Sequence, residues 1–320
     1  ELSEAAQLYR AALALQPDNP WARFYFGRVF RKLGELERAI EQYRRAIDLE
    51  PENAAFWFRL GQTQRRLGWD SDGPEREHLQ EESRATWEVS VELDDPAWVR
   101  GWSLSGLAGH AVRRGEFGSV PGLVRSAWDT GTGMDWGPRV YMLTSMVRLS
   151  AVTGDEAHML EARDLLDRWT SVWGSTSRAE PYHILAWWIV KQIGGIEATR
   201  PPDQPVSDAA RQMLLGHAVE LTRVVLEGTP SDSGAWNTLG LGLYCAGDYE
   251  GAHSALLKEY ELLGEGNALN WLCLAMTELS LGKEESARER YARAIEWMAA
   301  NEFDEGLAWY RAEAARVLGL

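Results

Sequence analysis

The sequence predicts an all-α solenoid, in which antiparallel helical hairpins stack one on the next. Three observations predict it: a repeat of 34 residues near the start, a repeat of 35 residues near the end, and apolar residues at helical intervals between turn-forming glycines. Each unit of such an array buries its core against its neighbours alone. We therefore expect one solenoid over residues 1–320, rather than two unrelated domains.

The first repeat consists of seven residues that recur 34 positions later. The pairs are Ala5 and Ala39, Tyr9 and Tyr43, Ala12 and Ala46, Pro17 and Pro51, Phe26 and Leu60, Gly27 and Gly61, and Gly34 and Gly68. Gly34 and Gly68 fit left-handed turns that end the first helix of a hairpin. Gly27 and Gly61 are small enough for the second helix to pack closely. The repeated unit is therefore a helical hairpin.

The second repeat has the same character with a period of 35 residues. Its pairs are Trp236 and Trp271, Leu239 and Leu274, Gly240 and Ala275, Gly247 and Gly282, Ala252 and Ala287, and Leu256 and Tyr291. Between the two repeats the pattern is weaker, so residues 1–96 and 231–320 are read as regular repeats and residues 97–230 as degenerate ones. The last segment, near 304–318, is predicted to be a capping helix.

This spacing predicts about sixteen helices. They comprise a single helix at 2–15, hairpins near 20–50, 54–94, 98–128, 135–173, 178–227, 233–262 and 267–300, and the closing helix. Because the first helix occupies the second position of a unit and the chain starts at Glu1 rather than Met, we expect the sequence to be a fragment of a larger protein.

Two insertions interrupt the period. About ten residues at Trp69–His78 begin a stretch, Trp69 to Asp95, that holds 10 Asp and Glu against 2 Arg. It is predicted to be a solvated acidic loop and helix face, with partner binding or shielding of the basic N-terminal end as the alternative. Gly194–Val206 contains three prolines and is predicted to be a loop at one rim.

The repeat resembles the tetratricopeptide repeat (TPR) family. Phe26-Gly27, Phe30, Ala39, Tyr43, Ala46 and Pro51 match its pattern of Leu-Gly, Tyr, Ala, Phe, Ala and Pro. The resemblance implies a right-handed superhelix whose first helices line a concave groove. Trp57, Trp236 and Trp271 occupy the aromatic position of the pattern and are expected to be packing residues, as are most of the 16 tryptophans.

Residues Trp236 to Leu320 also resemble the C-terminal TPR arrays of large multidomain bacterial signalling proteins. The features that carry the resemblance are Asn237-Thr238-Leu239-Gly240, Gly247-Asp248-Tyr249, Ile295-Glu296-Trp297-Met298 and the ending Arg311 to Gly319. Such arrays commonly follow a Ser/Thr kinase domain or a WD-repeat propeller, and the resemblance implies a similar parent protein.

Composition and motifs favour binding of a protein partner over an enzymatic function. Cys245 and Cys273 lie in apolar helical patterns and fit reduced thiols of a cytoplasmic protein. No apolar run is long enough to span a membrane. The net charge of −15 argues against nucleic acid. No phosphate-binding loop, metal motif or catalytic constellation is present, so no enzyme activity, cofactor or metal is predicted. A weak surface metal site at His158, Glu161 and Asp164 is the alternative to a plain polar helix face.

The candidate groove lies at the basic end, where residues 1–68 hold 11 Lys and Arg against 9 Asp and Glu. Outward positions of the first helices supply aromatic and basic side chains. They are Trp21, Phe24, Arg28, Arg31, Lys32, Phe58, Arg59, Gln62, Arg65, Arg66 and Trp102. Arginine binds carboxylate and phosphate bidentately, so an acidic or phosphorylated peptide is the expected ligand. The alternative is that the basic residues form exposed ion pairs with nearby Glu.

Phe24 and Arg28 replace the Lys and Asn with which chaperone-binding relatives hold a C-terminal carboxylate, so that mode is not predicted. At the other end, a predicted apolar inner face would either accept an amphipathic helix or be covered by the closing helix. Its residues are Asn237, Leu241, Tyr244, Leu269, Leu272, Met276 and Leu279.

The sequence thus predicts a non-catalytic adaptor or regulatory module that binds a protein or peptide. The alternatives are a spacer or self-association scaffold attached to an upstream catalytic domain such as a Ser/Thr kinase, and an enzyme built on the helical scaffold.

Overall fold

A computed structural model describes residues 2–93, 97–130, 136–171, 175–193, 206–264, 266–302 and 305–320. Within these ranges the chain forms sixteen α-helices, one 3-10 turn at Phe117–Ser119 and no strand. The chain divides into two compact units, Glu1–Ser145 and Met146–Leu320, and the division falls inside the eighth helix. The all-α fold class is confirmed, and the single continuous solenoid stays a prediction.

Unit 1 consists of a single helix followed by helical hairpins. Its helices are α1 Leu2–Leu15, α2 Pro20–Leu33, α3 Leu36–Leu49, α4 Ala54–Asp70, α5 Gly73–Glu92, α6 Ala97–Arg114, α7 Val120–Asp129 and the first part of α8 Trp136–Thr153. Unit 2 continues from α8 in the same manner. Its further helices are α9 Glu156–Ser171, α10 Ser175–Ile193, α11 Asp208–Gly228, α12 Ser233–Ala246, α13 Tyr249–Leu263, α14 Ala268–Ser280, α15 Glu284–Ala300 and α16 Glu305–Leu318.

Side-chain caps begin several helices, and glycines end them. The Asn19 carboxamide oxygen accepts from the Ala22 N–H at 2.9 Å, and the Asp232 carboxylate accepts from the Ala235 N–H at 3.0 Å. Gly34 and Gly247 follow α2 and α12 with φ of 81° and 87°, a left-handed conformation that only glycine adopts without cost. The turns predicted at these positions are therefore present.

A shared contact fixes the start of the first helix in hairpins of both units. Trp57 Nε1 donates to the Pro51 carbonyl at 2.7 Å, and Trp236 Nε1 donates to the Pro230 carbonyl at 2.9 Å. In the first hairpin the guanidinium of Arg23 donates to the Pro17 carbonyl instead, across the same six-residue interval. The prediction that Trp57 and Trp236 are packing residues is thus supported, because each indole donates a hydrogen bond to the loop before its helix.

Glycines in α2 and α4 pack against aromatic rings of the following helix. A Cβ at Gly27 would lie 2.8 Å from the Tyr43 ring, and a Cβ at Gly61 would lie 2.7 Å from the Trp87 indole. These contacts show which residues are equivalent in the two hairpins. Trp87 follows Tyr43 by 44 residues rather than 34, so the insertion has added a whole ten-residue segment without disturbing the packing.

The insertion is helical, which corrects the predicted acidic loop. α4 continues to Asp70 and α5 starts at Gly73, so only Ser71 and Asp72 connect them. Gly68 consequently lies inside α4 and makes no left-handed turn; a Cβ there would lie 3.2 Å from Leu79 Cβ of α5. The ten added residues lengthen both helices, because α4 and α5 bury each other's apolar residues beyond the point where the shorter repeat turns.

In unit 2, α16 packs against α14, where Leu318 joins the buried cluster of Ala275 and Ala287. Tyr310 of α16 is only 2% exposed. Leu241, Leu272 and Met276 of the predicted apolar inner face are buried, so these three do not form an open groove. Of the predicted rim loop Gly194–Val206, residues 194–205 lie outside the described residues. None of the described helices is long and apolar enough to cross a membrane.

Candidate functional site

The candidate site in unit 1 is a set of basic side chains on three helices, in which Arg28, Arg31 and Arg59 lie near Tyr43 and Arg113 lies near Arg65. We call this the arginine face, and it consists of Arg28 and Arg31 of α2, Arg59 and Arg65 of α4, and Arg113 of α6. No carboxylate oxygen among the described residues lies within 4.0 Å of any of these five guanidinium groups. Each of the five side chains is only partly exposed to solvent.

Arginines on α3 and α5 of unit 1, in contrast, form ion pairs with glutamates. Arg44 of α3 pairs with Glu82 at 3.1 Å, and Arg84 of α5 pairs with Glu88 at 2.6 Å. Arg38 and Arg45 of α3 also pair with glutamates, Glu35 just before the helix and Glu41 within it. The acidic residues of unit 1 therefore neutralise α3 and α5 and leave the arginine face positive.

The first half of the arginine face surrounds the hydroxyl end of Tyr43, and we call Arg28, Arg31 and Arg59 the Tyr43 cluster. Burial raises the pKa of Tyr43 to about 12, although the charges of the three arginines act to lower it. Burial also lowers the pKa of Arg59, and the charges of Arg31 and Arg28 lower it further. Three like charges thus share a region of reduced solvation.

Hydrogen-bonding capacity remains unused in this cluster. The Nε atoms of Arg31 and Arg59 are buried without a hydrogen-bond partner among the described residues. Arg59 Nη1 donates to Gln62 Oε1 at 2.8 Å, which fixes its direction along α4. The Arg28 guanidinium lies 5.5 Å from the centre of the Tyr25 ring. An anion that reached this cluster would meet donors already held by aromatic and amide neighbours.

The structure also places the other predicted groove residues. Lys32 and Arg66 are exposed and lie at the ends of α2 and α4. Trp21 is 42% exposed and packs against Phe56, with ring centres 5.1 Å apart. Trp102 is half-buried, with its ring centre 6.1 Å from that of Phe58. Within the described ranges, none of the six predicted basic residues forms the ion pair with Glu that was the alternative.

Two predicted groove residues are wrong as outward-pointing positions. Phe24 is 5% exposed and Phe58 is 1% exposed. Phe24 lies against Tyr43 and Phe56, and Phe58 packs beside Trp87 and Val99. Both side chains stabilise the contact between successive hairpins, because the repeat turns these positions toward the next first helix. They belong to the core beneath the arginine face.

Arg113 was missed in the sequence because the register of the degenerate repeats was not fixed there. Its Nε and Nη2 atoms are buried without a hydrogen-bond partner. It lies near Arg65, whose pKa is lowered by burial and by the charge of Arg113. The available signal was that Arg113 lies in α6, two helices after α4, which carries Arg65.

Surface metal chemistry receives no support in the described ranges. No group of three or more His, Cys, Asp and Glu side chains is placed there to hold a metal ion. His158, proposed as an alternative ligand, has its Nε2 atom 3.8 Å from Asp155. Cys245 and Cys273 are free thiols, as expected.

Comparisons with known proteins agree with the repeat found in unit 1. A family model described as "TPR repeat" matches residues 27–68, and one described as "Tetratricopeptide repeat" matches residues 8–41. The comparison with curated proteins finds no match.

Two solved structures are similar to the chain over most of its length. One is a tetratricopeptide repeat protein from Parabacteroides merdae, at 11% identity and a TM-score of 0.49, which covers 98% of this chain and 92% of that chain. The other, YrrB, is described as a TPR protein with an unusual peptide-binding site, at 13% identity and a TM-score of 0.36, covering 83% and 96%. The family models of the tetratricopeptide repeat thus match this chain within residues 8–68.

Proposed function

We propose that this chain is a non-catalytic module that binds an acidic or phosphorylated segment of a partner protein through the arginine face. The observation that carries the proposal is the Tyr43 cluster, in which Arg28, Arg31 and Arg59 lie together without a carboxylate within 4.0 Å. Like charges in a partly desolvated site cost stability unless an opposite charge joins them. A partner's carboxylate or phosphate would supply that charge.

The distribution of acidic residues supports this reading over general solubility. The chain carries a net charge of −15, and its glutamates pair with arginines on α3 and α5. A strongly acidic chain that leaves five arginines unpaired on one face has a local field opposite to its overall charge. That field favours a short acidic segment over a long polyanion, because a nucleic acid would also meet the negative remainder of the surface.

Exposed aromatic rings beside the cluster would add apolar contact to the charge. Trp21 and Tyr25 of α2 are 42% and 37% exposed, and each is already packed against a neighbouring ring. Aromatic side chains held in this way lose little conformational entropy when they bind, and they often dominate the affinity of an interface. We therefore expect the partner segment to place an apolar residue near Trp21.

The test is binding of the purified chain to short peptides, followed by fluorescence anisotropy. Acidic, phosphorylated and neutral peptides of equal length are compared with a single-stranded oligonucleotide of equal charge. The wild type is compared with Arg28→Gln/Arg31→Gln/Arg59→Gln and with the matched control Arg38→Gln/Arg44→Gln/Arg45→Gln. Both triple variants remove the same charge, but the control removes it from α3.

We expect the first triple variant to lose at least about tenfold in affinity for an acidic peptide, or roughly 1.4 kcal/mol. The control should lose about twofold or less, and added salt should weaken wild-type binding. Equal losses in the two variants, or no peptide binding by the folded wild type, would overturn the proposal. The relative affinities of the carboxylate and phosphate peptides identify the anion.

Self-association is a second candidate function, and α1 supports it. Leu8 and Leu15 of this helix are 67% and 85% exposed, which leaves an apolar side without a partner. Sedimentation velocity of the wild type and of Leu8→Glu tests this candidate. A dimer that becomes a monomer in the variant supports it, and a monomeric wild type at high concentration rejects it.

A further inference from the structure

The second half of the arginine face has a different construction from the Tyr43 cluster. Arg65 of α4 lies between aromatic rings, with its guanidinium carbon 4.8 Å from the Trp69 ring, 5.3 Å from the Trp87 ring and 4.9 Å from the Tyr141 ring. Its Nη1 atom donates to the Tyr141 hydroxyl. The guanidinium is thus held in one orientation before any ligand arrives.

Arg113 of α6 lies near Arg65, because Gly109, one helical turn before Arg113, packs against the Tyr141 ring, with 3.1 Å between a Cβ at Gly109 and Tyr141 Cε1. Three N–H positions are left without a hydrogen-bond partner among the described residues: Nε of Arg65, and Nε and Nη2 of Arg113. Neither arginine has a carboxylate within 4.0 Å in the described part of the chain. Two cations with unused donors therefore lie on the contacting helices α4 and α6.

The nearest acidic group is committed elsewhere. Glu81 pairs with Arg84 at 3.0 Å and with Arg114 at 3.4 Å. His110 lies between Glu81 and Arg113 and is neutral near pH 7, since burial and the charge of Arg113 lower its pKa to about 4. No negative charge of the described chain reaches Arg113, so an anion from outside would complete this group.

We propose that Arg65 and Arg113 form a second anion subsite, and that the arginine face binds two anionic side chains at least about three residues apart in an extended peptide. The inference rests on the proposed function, because the first anionic side chain occupies the Tyr43 cluster. The second anionic side chain would bind the guanidinium groups of Arg65 and Arg113, which have no carboxylate within 4.0 Å in the described part of the chain.

The spacing follows from the positions of the two arginines of α4. Arg59 belongs to the Tyr43 cluster and Arg65 to the second subsite, six residues further along one helix. Six residues advance about 9 Å along a helix axis, at roughly 1.5 Å per residue. An extended peptide advances about 3.3 Å per residue, so about three residues cover the same length. Six residues also turn the helix by about 600°, so Arg59 and Arg65 diverge by roughly 120° and this length is a minimum. Side chains of the peptide at least about three residues apart would reach both subsites together.

The chemistry of the second subsite favours a planar or tetrahedral oxyanion. A guanidinium that is stacked on rings keeps its edge N–H groups available, and a carboxylate or phosphate oxygen accepts from such an edge. Trp69 is 37% exposed, so it can also contact the peptide between the two anionic side chains. A peptide that carries only one anionic side chain would leave one of the two subsites empty.

Calorimetric titration at low salt with twelve-residue Ser/Ala peptides tests the inference. One peptide carries a single phosphoserine, and six others carry a second phosphoserine one to six positions later; a parallel set carries glutamates. We expect affinity to rise only at separations of about three residues or more, and to reach at least about tenfold above that of the single-site peptide. The glutamate set should follow the same order with lower affinity.

Variants separate this inference from the proposed function. Arg65→Gln/Arg113→Gln should lower the affinity for the two-site peptide to that for the single-site peptide. The affinity for the single-site peptide should stay unchanged. The matched control Arg66→Gln/Arg114→Gln removes two neighbouring charges, one exposed and one paired with Glu81, and should preserve the preference. If circular dichroism shows that the double variant is unfolded, the single variant Arg113→Gln is used instead.

Each outcome decides between the two claims. A second anion that adds nothing at any separation, while the single-site peptide still depends on Arg28 and Arg59, overturns the inference and leaves the proposed function standing. A gain at every separation alike also overturns it, since it reflects net charge only. Loss of all binding in wild-type protein that is folded overturns both.

Discussion

The ring of Tyr43 in α3 occupies the space beside Gly27 in α2, and its Cε1 atom lies 2.8 Å from where a Cβ at Gly27 would stand. This contact brings α2 and α3 together and also holds Tyr43 beneath the Tyr43 cluster. The absence of a side chain at position 27 therefore contributes both to the hairpin and to the site above it.

Gly27→Ala is expected to destabilise the chain by about 1–3 kcal/mol, because the methyl group would overlap a fully buried ring. The matched control is Gly122→Ala in α7, where nothing lies within 4 Å of the added Cβ. That change should stabilise by about 0.5–1 kcal/mol, since alanine loses less backbone entropy. Urea unfolding measures both, and equal effects at the two sites would contradict the contact.

The Glu259 carboxylate in unit 2 is 4% exposed and accepts from Asn237 Nδ2 at 2.9 Å and Asn270 Nδ2 at 2.8 Å. Glu259→Ala should cost about 2–4 kcal/mol, because both buried amides lose an acceptor. Glu259→Gln keeps an acceptor oxygen and should stay within about 1 kcal/mol of the wild type. If both variants were equally destabilised, the two hydrogen bonds would not account for the role of this residue.

The contribution of Glu259 to the unfolding free energy depends on pH in a defined direction. Burial raises the pKa of Glu259 above its ordinary value of 4.5, so the folded state binds the proton more tightly than the unfolded state. The unfolding free energy of the wild type minus that of Glu259→Gln should therefore fall as pH rises from about 4.5 through the folded pKa, and stay level above it. Urea unfolding at several pH values measures this difference, and a rise with pH would contradict it.

Tyr310 anchors α16, and its buried hydroxyl has no hydrogen-bond partner among the described residues. Tyr310→Phe should leave stability unchanged or raise it by about 1 kcal/mol, because an unpartnered buried hydroxyl is costly. Tyr310→Ala should cost about 3–5 kcal/mol through the cavity that it leaves. Thermal unfolding of the three proteins decides the matter; a large loss in the Phe variant would mean that the hydroxyl is bonded.

An inorganic anion should stabilise the arginine face directly. Sulfate, at constant ionic strength against chloride, should raise the Tm of the wild type by about 2 °C more than that of Arg28→Gln/Arg31→Gln/Arg59→Gln, since it binds only the folded state. The control Arg38→Gln/Arg44→Gln/Arg45→Gln should respond like the wild type. Identical responses in all three proteins would show that sulfate acts on the whole surface and not on these arginines.

Much of the fold could be predicted because the repeat fixes it locally. Gly34 and Gly247 mark turns by their conformation, and the small residue at Gly27 marks a helix contact, so the sequence alone locates these hairpins. The insertion after Trp69 was harder, because a charged ten-residue segment suits either a loop or two longer helices. Burial of Leu79 against Gly68 decides for helices, and that is a tertiary contact.

The basic character of the candidate site could be predicted from the sequence, but not every residue that belongs to it. Arg28, Arg31, Arg59 and Arg65 lie where the repeat places them, whereas Phe24 turns into the core because the next hairpin covers it. Arg113 lies in a repeat without a clear register, so its approach to Arg65 appears only once α6 is packed. Pairing of glutamates with Arg44 and Arg84, which leaves the arginine face positive, likewise depends on distances between helices.

The most direct test of the central claim observes the guanidinium groups during binding. NMR spectra of the ¹⁵Nε–¹Hε groups, assigned by single Arg→Lys substitutions, are recorded as an acidic peptide is added. We expect the signals of Arg28, Arg31 and Arg59 to shift in a saturable manner, while those of Arg38, Arg44 and Arg45 stay in place. Shifts confined to the α3 arginines, or no shift of the Tyr43 cluster at saturation, would contradict the account.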